Sequence, residues 1–323
     1  MKNLISSLKE RTDIYCSTNN GFLLQGDCLE KLKLIPDKSI NLICLDPPYN
    51  INKADWDTWK TVTEYVEFMG EVFKECERVL KDNGSFYFFH NDFMQMVELQ
   101  YWLNKNSNFI FKQLIVWNKK FKGAKNEGFL QGFIEPKMLR NYQKMAEYCL
   151  YYTFQGKFIE TPYSKVIKKQ MKELNLKEMD FRKLKISKNG NPTGWCSNII
   201  KGKNIPTESD WELICKLIGE YSYESLLQEY ENLRYTFNNQ KTHHSVWNYE
   251  IAKKRGHCTP KPLDLIKNII LYSSNENATV LDCFSGSGTL AVACEELHRK
   301  WICIEKEEKY CEITKERLIN III

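Results

Sequence analysis

Two short segments combine residue types that do chemistry with a spacing that exposes them. The first is Leu42-Ile43-Cys44-Leu45-Asp46-Pro47-Pro48-Tyr49-Asn50, an apolar run that stops at a carboxylate, two prolines and a tyrosine. Consecutive prolines fix φ at both positions and push the preceding residue into extended backbone. The outcome is a stiff shelf carrying the Asp46 carboxylate, carbonyls with no competing N–H at either proline, and the Tyr49 ring. An amine with two N–H donors finds acceptors there in Asp46 and a backbone carbonyl, and Tyr49 offers a face for stacking an aromatic ring. The lone pair of such an exocyclic amine is delocalised into its ring, so the nitrogen is a poor nucleophile. Fixed acceptors on its protons localise that pair in the transition state. A Pro-Pro turn with an incidental Asp is the plain alternative.

The second segment is Val280-Leu281-Asp282-Cys283-Phe284-Ser285-Gly286-Ser287-Gly288-Thr289, an apolar strand entering a Gly-rich turn that opens a helix. Gly286 and Gly288 let the backbone turn sharply and approach a ligand, while the helix starting near Thr289 aims its first amides at it. The third glycine of the dinucleotide fingerprint is replaced by Ala291, which disfavours a dinucleotide without excluding it. The following strand ends at Ile304-Glu305-Lys306, and a carboxylate so placed suits a ribose diol. A tight strand-to-helix turn with no ligand is the alternative reading of this loop.

Both segments need a scaffold that brings strand ends together. Seven strand-length apolar runs recur at 21–25, 41–46, 84–90, 110–118, 147–154, 278–284 and 300–305, with helical periodicity at 62–80, 93–103, 263–272 and 289–297 between several of them. Continuous apolar strands alternating with helices imply a mostly parallel sheet covered on both faces, which is an α/β fold. In such a sheet ligands bind beyond the carboxyl ends of the strands, where both segments lie.

From about residue 156 to 240 that rhythm stops. Between Lys157 and Ile205 twelve Lys/Arg stand against four Asp/Glu, a local +8 that leaves −3 for the rest of a chain whose net charge is +5. Thr207 with Asp210 three residues on reads as a helix start leading to Ile218, Tyr223 to Leu233 reads as another helix, and 189–194 is the strongest loop signal. This is an inserted, largely helical module whose charge is the footprint of a nucleic-acid contact or, more plainly, a solvated lysine-rich surface.

Composition agrees with a globular enzyme: 43% apolar and 27% charged residues among 323. No apolar stretch reaches membrane-spanning length and the first residues lack a secretory pattern, so no membrane association and a cytoplasmic location are expected. The twelve cysteines include no C-x-x-C pair and read as reduced and mostly buried. His90, His243 and His244 form no cluster of ligand spacing, so no metal is expected.

Taken with these elements, the chain resembles the amino-group DNA methyltransferases, specifically the permuted group in which the catalytic tetrapeptide precedes the cofactor loop. Asp46-Pro47-Pro48-Tyr49 corresponds to the catalytic element, Gly26-Asp27-Cys28 to the element holding the adenine of the cofactor, and His257-Cys258-Thr259-Pro260-Lys261-Pro262 to the H-x-T-x-K-P signature at its methionine end. Smaller similarities include Asp55-Trp56-Asp57, Arg78 to Lys81 with Gly84, and Glu147-Tyr148. Cys258 departs from the pattern, where the family more often has Pro.

The resemblance implies a seven-stranded, circularly permuted, Rossmann-like methyltransferase fold that enters at the third strand and finishes with the first two. It implies catalytic residues Asp46, Pro47, Pro48 and Tyr49, and S-adenosyl-L-methionine as cofactor, with S-adenosyl-L-homocysteine as product. Cofactor-binding residues would be Asp27, Cys28, Asp46, His257, Thr259, Lys261, Asp282, Phe284, Ser285, Gly286, Gly288, Thr289, Glu305 and Lys306. Residues 1–155 and 246–323 would form the two halves of the catalytic domain and 156–245 the target-recognition insertion. Double-stranded DNA is the expected substrate, entered by base flipping. Lys119, Lys122, Lys165, Lys168, Lys169, Arg182, Lys183, Lys185, Lys201 and Lys203 are the candidate DNA contacts. Asp at the first catalytic position favours adenine N6, with cytosine N4 as the alternative. Methylation of an RNA or protein nitrogen and a catalytically silent DNA-binding subunit are the other readings. A homodimer and a separately acting cognate restriction endonuclease complete the expected partners.

Overall fold

The structure, a computed structural model, describes residues 14–53, 55–124, 145–155, 160–238, 244–252 and 260–322. His243, His257 and Thr259 lie outside the described residues. The chain packs as two compact units, one formed by Met1–Phe154 with Thr236–Ile323 and the other by Gln155–Tyr235.

The first unit is built on nine strands: β1 (Ile14–Ser17), β2 (Gly21–Gln25), β3 (Ile40–Leu45), β4 (Leu80–His90), β5 (Ile110–Asn118), β6 (Ala146–Thr153), β7 (Val246–Asn248), β8 (Thr279–Asp282) and β9 (Lys300–Glu305). Their order in the sheet is β1-β2-β9-β8-β3-β4-β6-β5-β7. All seven expected strands are present, and two short edge strands, β1 and β7, extend the sheet beyond them. The neighbours from β2 through β9, β8 and β3 to β4 are parallel, β6 runs antiparallel to both β4 and β5, and β1 is antiparallel to β2.

The chain's last two strands, β8 and β9, therefore fill the middle of the sheet between β2 and β3. Leu42 and Ile43 pair with Val280 and Leu281, so β3 and β8 deliver Asp46 and Asp282 to the same edge. Gln25 pairs with Glu305 on the other side of β9, which brings Asp27 there as well. This is the permuted arrangement that the motif order implied.

Strands and helices meet through apolar faces. Helices α1 (Cys28–Leu32), α2 (Val62–Val79) and α3 (Phe93–Asn106) precede the insertion. In α2 the buried residues Tyr65, Met69, Val72, Phe73, Cys76 and Val79 recur at helical spacing, and Thr61 caps the helix by accepting the Glu64 N–H. Gly70 lets Trp102 of α3 approach closely, since a Cβ there would lie 2.5 Å from the indole. Phe73, Phe86, Phe88 and Leu103 are fully buried, each worth about 1.5–3 kcal/mol of transfer free energy.

The second unit contains α4 (Pro162–Glu173), α5 (Glu178–Arg182), α6 (Ser197–Ile200), α7 (Glu208–Ile218) and α8 (Tyr223–Leu233) around a core of Tyr163, Ile167, Phe181, Ile199, Trp211 and Ile214. Thr207 caps α7 by accepting the Asp210 N–H, and the Trp211 indole donates to the Tyr221 carbonyl. The expected insertion ran to residue 245, whereas the compact unit ends at Tyr235. The reason lies in Asn238, which hydrogen-bonds Leu271, Tyr272 and Ser274 and so ties the following segment to the first unit. The last helices, α9 (Leu263–Ser273), α10 (Thr289–Glu296) and α11 (Glu308–Ile322), belong to the first unit. No helix among the described residues is long and apolar enough to cross a membrane.

Candidate active site

The shelf at the end of β3 is held from below and from the side. Asp57, almost fully buried, accepts the N–H groups of Tyr49 (2.6 Å) and Asn50 (2.7 Å) through Oδ1 and those of Ile51 (3.3 Å) and Lys53 (3.1 Å) through Oδ2. One carboxylate thus satisfies four amides of a turn in which Asn50 and Asn52 adopt positive φ. The Tyr65 hydroxyl donates to the Pro48 carbonyl at 2.8 Å and lies 3.0 Å from His90 Nε2. With its proton committed to Pro48, Tyr65 must accept from His90, which assigns His90 the Nε2–H tautomer.

At the front of the shelf Asp46 Oδ1 accepts from Lys261 Nζ at 2.5 Å and from the Tyr49 hydroxyl at 2.6 Å. Lys261 also contacts the Tyr49 hydroxyl at 3.0 Å and Glu147 Oε2 at 3.3 Å, and Glu147 in turn pairs with Lys119. Burial works against the Lys261 charge, yet Asp46 and Glu147 together hold its titration above the ordinary lysine range. Burial likewise pushes Glu147 up, but Lys261 and Lys119 outweigh it and bring the carboxyl down to about 2. Burial, followed by Asp46 and Glu147, raises the Tyr49 phenol well above its usual range and keeps it a donor.

Two of the expected acceptors are therefore occupied: the Pro48 carbonyl by Tyr65 and Asp46 Oδ1 by Lys261 and Tyr49. Asp46 Oδ2 and the Pro47 carbonyl make no hydrogen bond among the described residues and remain for an incoming amine. Tyr49 is also less open than a stacking platform, being 6% exposed with the His90 ring 4.9 Å from its own.

A cavity of about 300 Å³ runs from this shelf across the strand ends. Its walls include Asp46, Pro47, Pro48, Tyr49 and Lys261 on one side and Asp27, Cys28, Asp282, Phe284, Ser285, Gly286, Thr289, Glu305 and Lys306 on the other. Asp27 caps α1 by accepting the Leu29 N–H, which fixes the turn after β2. Glu305 accepts the N–H of Gly286 (2.7 Å) and of Glu307 (2.9 Å), one on each oxygen, and burial raises its titration. Asp282 accepts the Phe284 N–H at 3.0 Å, and its carboxyl is pushed up to about 8, chiefly by burial and secondarily by the charges of Asp46 and Glu305. The buried carboxylates of Asp282 and Glu305, with the half-buried Asp27 beside them, suit a ligand that brings hydroxyls and positive charge.

The structure departs from the expected site at three points. Gly288 does not line the cavity: at φ 72° it starts α10, and a Cβ there would lie 2.4 Å from Thr314 of α11, so it serves close helix packing. Lys119 faces Glu147 at the catalytic end instead of standing free for DNA. Among the insertion residues, Lys168, Lys169, Lys183 and Lys185 have carboxylate partners in Glu160, Glu173, Asp180 and Asp210. Arg182 Nε donates to the Thr193 carbonyl at 3.3 Å. Lys122, Lys165, Lys201 and Lys203 are exposed and make no ion pair among the described residues. Sequence reasoning assigned no role to Asp57, Tyr65 or Glu147; the similarities at Asp55-Trp56-Asp57 and Glu147-Tyr148 were the available signal.

A permuted, mostly parallel sheet with an Asp-Pro-Pro-Tyr shelf and a carboxylate-lined pocket sharing one cavity is the arrangement of a group-transfer enzyme. A DNA methylase family model matches residues 40–316, and the chain belongs to this family of S-adenosyl-L-methionine-dependent enzymes. It is 30% identical over 292 residues to the Type II methyltransferase M1.MboII of Moraxella bovis, spanning 88% of this chain and 92% of that protein. It is 28% identical over 305 residues to the DNA adenine methyltransferase YhdJ of Escherichia coli (strain K12), spanning 92% and 82%. Among solved structures, the PvuII DNA methyltransferase (cytosine-N4-specific) superposes with a TM-score of 0.57 over 93% of this chain and 87% of that one, at 16% identity. That last likeness is one of fold.

Proposed function

We propose that this chain methylates the N6 amino group of adenine in double-stranded DNA. The observation that carries the reading is the state of Asp46 in the cavity wall: Lys261 and Tyr49 fix one oxygen, while the other makes no hydrogen bond among the described residues. An amine placed there donates one proton to Asp46 Oδ2 and the other to the Pro47 carbonyl. Both acceptors are rigid, so the nitrogen is drawn toward tetrahedral geometry without reorganising its surroundings. Asp27, Lys261, Asp282, Phe284, Gly286 and Glu305 would hold the cofactor, which supplies an electrophilic methyl group when bound. Asp46 and Lys261 line the same cavity as these residues and so couple cofactor seating to the amine site.

A base inside a duplex cannot reach this cavity, so the target must be flipped out. The choice of adenine rests on Asp at the first shelf position and on the likeness to an adenine methyltransferase. The unit Gln155–Tyr235 contains the basic stretch 157–205 and is assigned target recognition, with Lys165, Lys201 and Lys203 as phosphate contacts there. Lys122, at the catalytic end, is assigned a further DNA contact. The likeness to a Type II methyltransferase supports a separately acting restriction endonuclease as functional partner, and reduced cysteines support a cytoplasmic location. A homodimer, which light scattering would detect, completes the reading.

Incubation with tritiated cofactor and duplex DNA, followed by digestion to nucleosides and mass spectrometry, tests the proposal. N6-methyladenine is the expected product. N4-methylcytosine would move the target base, and label entering only RNA or protein would end the DNA reading.

A further inference from the structure

Glu147 has no role assigned in the functional reading, yet it sits at the centre of a buried ionic chain. Its Oε2 faces Lys261 at 3.3 Å and its Oε1 pairs with Lys119. The Lys261 and Glu147 side chains are each 6% exposed and that of Lys119 is 23% exposed, so the chain runs outward from the shelf. Charge alternates along it: Asp46 carboxylate, Lys261 ammonium, Glu147 carboxylate, Lys119 ammonium. The register makes this arrangement, since β5 and β6 are antiparallel with Trp117 opposite Glu147, and Lys119, bonded to Met145, is then the diagonal neighbour of Glu147.

A buried ion pair adds little stability over apolar residues of the same volume, because desolvation cancels most of the attraction. What this one does supply is position. The ammonium of Lys261 has two carboxylates to choose between, and Glu147 keeps it on the side of Asp46 where it meets Oδ1 and the Tyr49 hydroxyl. Asp46 then has one oxygen committed and one presented to the cavity.

We infer that Glu147 and Lys119 are positioning residues for methyl transfer, Glu147 holding the Lys261 ammonium against Asp46 Oδ1 so that Oδ2 alone faces the substrate amine. This rests on the proposed role of Asp46 as amine acceptor. Lys119 neutralises the outer oxygen of Glu147 and is thereby removed from the set of phosphate contacts. The titratable groups facing Lys261 are Asp46 and Tyr49 on the shelf, Cys44 of β3, Glu147 and Cys149 of β6, Asp282 of β8 and Lys119 after β5. Only Asp46 and Glu147 are anions within ion-pair distance of Nζ among the described residues. Removing the Glu147 charge leaves Lys261 buried with one counter-ion, so its deprotonation moves to lower pH.

The test compares wild type, Glu147→Gln, Glu147→Asp and Lys119→Met by single-turnover methyl transfer to duplex DNA across pH. Cofactor affinity, DNA affinity at several salt concentrations and thermal melting are measured alongside. Glu147→Gln is expected to slow transfer about 10²-fold, the scale of a misplaced catalytic group. Its DNA affinity should stay within about twofold of wild type, its loss of rate should persist at saturating cofactor, and its alkaline limb should appear at lower pH, with Glu147→Asp recovering part of the rate. Should Glu147→Gln fail to fold, Lys119→Met at the outer end carries the test, with a slower rate at unchanged DNA affinity and salt slope. Wild-type rates and pH profiles in the variants would overturn the inference. So would a Lys119→Met defect confined to DNA affinity with a shallower salt slope. An inactive wild type would overturn the functional proposal itself, whereas active wild type beside equally active variants counts only against the positioning role.

Discussion

Lys261 Nζ stands 2.5 Å from Asp46 Oδ1, an ion pair between residues 215 positions apart in the chain. It ties the shelf at the end of β3 to the segment that leads into α9, and the insertion lies between them in sequence. The pairing of β3 with β8 joins the two halves of the sheet between which this ion pair is formed.

Asp282 makes cofactor binding depend on pH. Its folded-state titration near 8 lies above the ordinary 3.8, so at neutral pH the unliganded protein holds it largely protonated. A cationic ligand favours the carboxylate, so binding releases a proton and affinity rises with pH up to about pH 8 and then levels. Calorimetry at pH 7 in buffers of different ionisation enthalpy should detect this proton, and Asp282→Asn should abolish it. By the same linkage, a raised acid costs stability as pH climbs from its unfolded value toward 8. The unliganded wild type should lose melting temperature over that range while Asp282→Asn does not.

The two loop glycines should separate. Gly286, at φ 50°, donates its N–H to Glu305 and lines the cavity, so Gly286→Ala should weaken cofactor binding in addition to the stability cost of its left-handed backbone. Gly288→Ala meets both a left-handed backbone and Thr314, and should cost about 1–2 kcal/mol or more of stability. Titration calorimetry and thermal melting on the pair distinguish the two effects.

Asp57→Ala leaves four amides of the shelf turn without their acceptor. The expected loss is on the order of 3 kcal/mol of stability, with a transfer rate reduced beyond what the unfolded fraction explains. Urea titration and single-turnover rates measured at a temperature where the variant remains folded check both parts.

Much of this was legible beforehand, and for physical reasons. Strands such as Ile40–Leu45 and Thr279–Asp282 are buried along their length and read as apolar runs, and Thr207 declared its helix by cap chemistry. The edge strands Ile14–Ser17 and Val246–Asn248 are too short to show a period. Asp57 and Glu147 act on groups whose approach depends on tertiary pairing, so their types alone announced nothing. Lys119 looked like one lysine among several in a polar loop until the β5–β6 register placed it beside Glu147. Gly286 and Gly288 look equivalent in a G-x-G pattern, and only the last helix separates their tasks.

The exposed lysines of the insertion that make no ion pair among the described residues should behave differently from the paired ones. Alanine at Lys165, Lys201 or Lys203 should weaken DNA binding and reduce the slope of log affinity against log salt by about one for each phosphate no longer neutralised. Alanine at Lys168 or Lys185, whose charges are engaged by Glu160 and Asp210, should change that slope less. Fluorescence anisotropy at graded salt reads both.

The central claim is that Asp46 holds the amine while its methyl bond forms. Single-turnover transfer to duplex DNA by Asp46→Ala, with DNA retention measured on the same preparation, tests it directly. The expected result is a rate reduced at least about 10³-fold with retention unchanged, and methyl transfer at the wild-type rate would contradict the account.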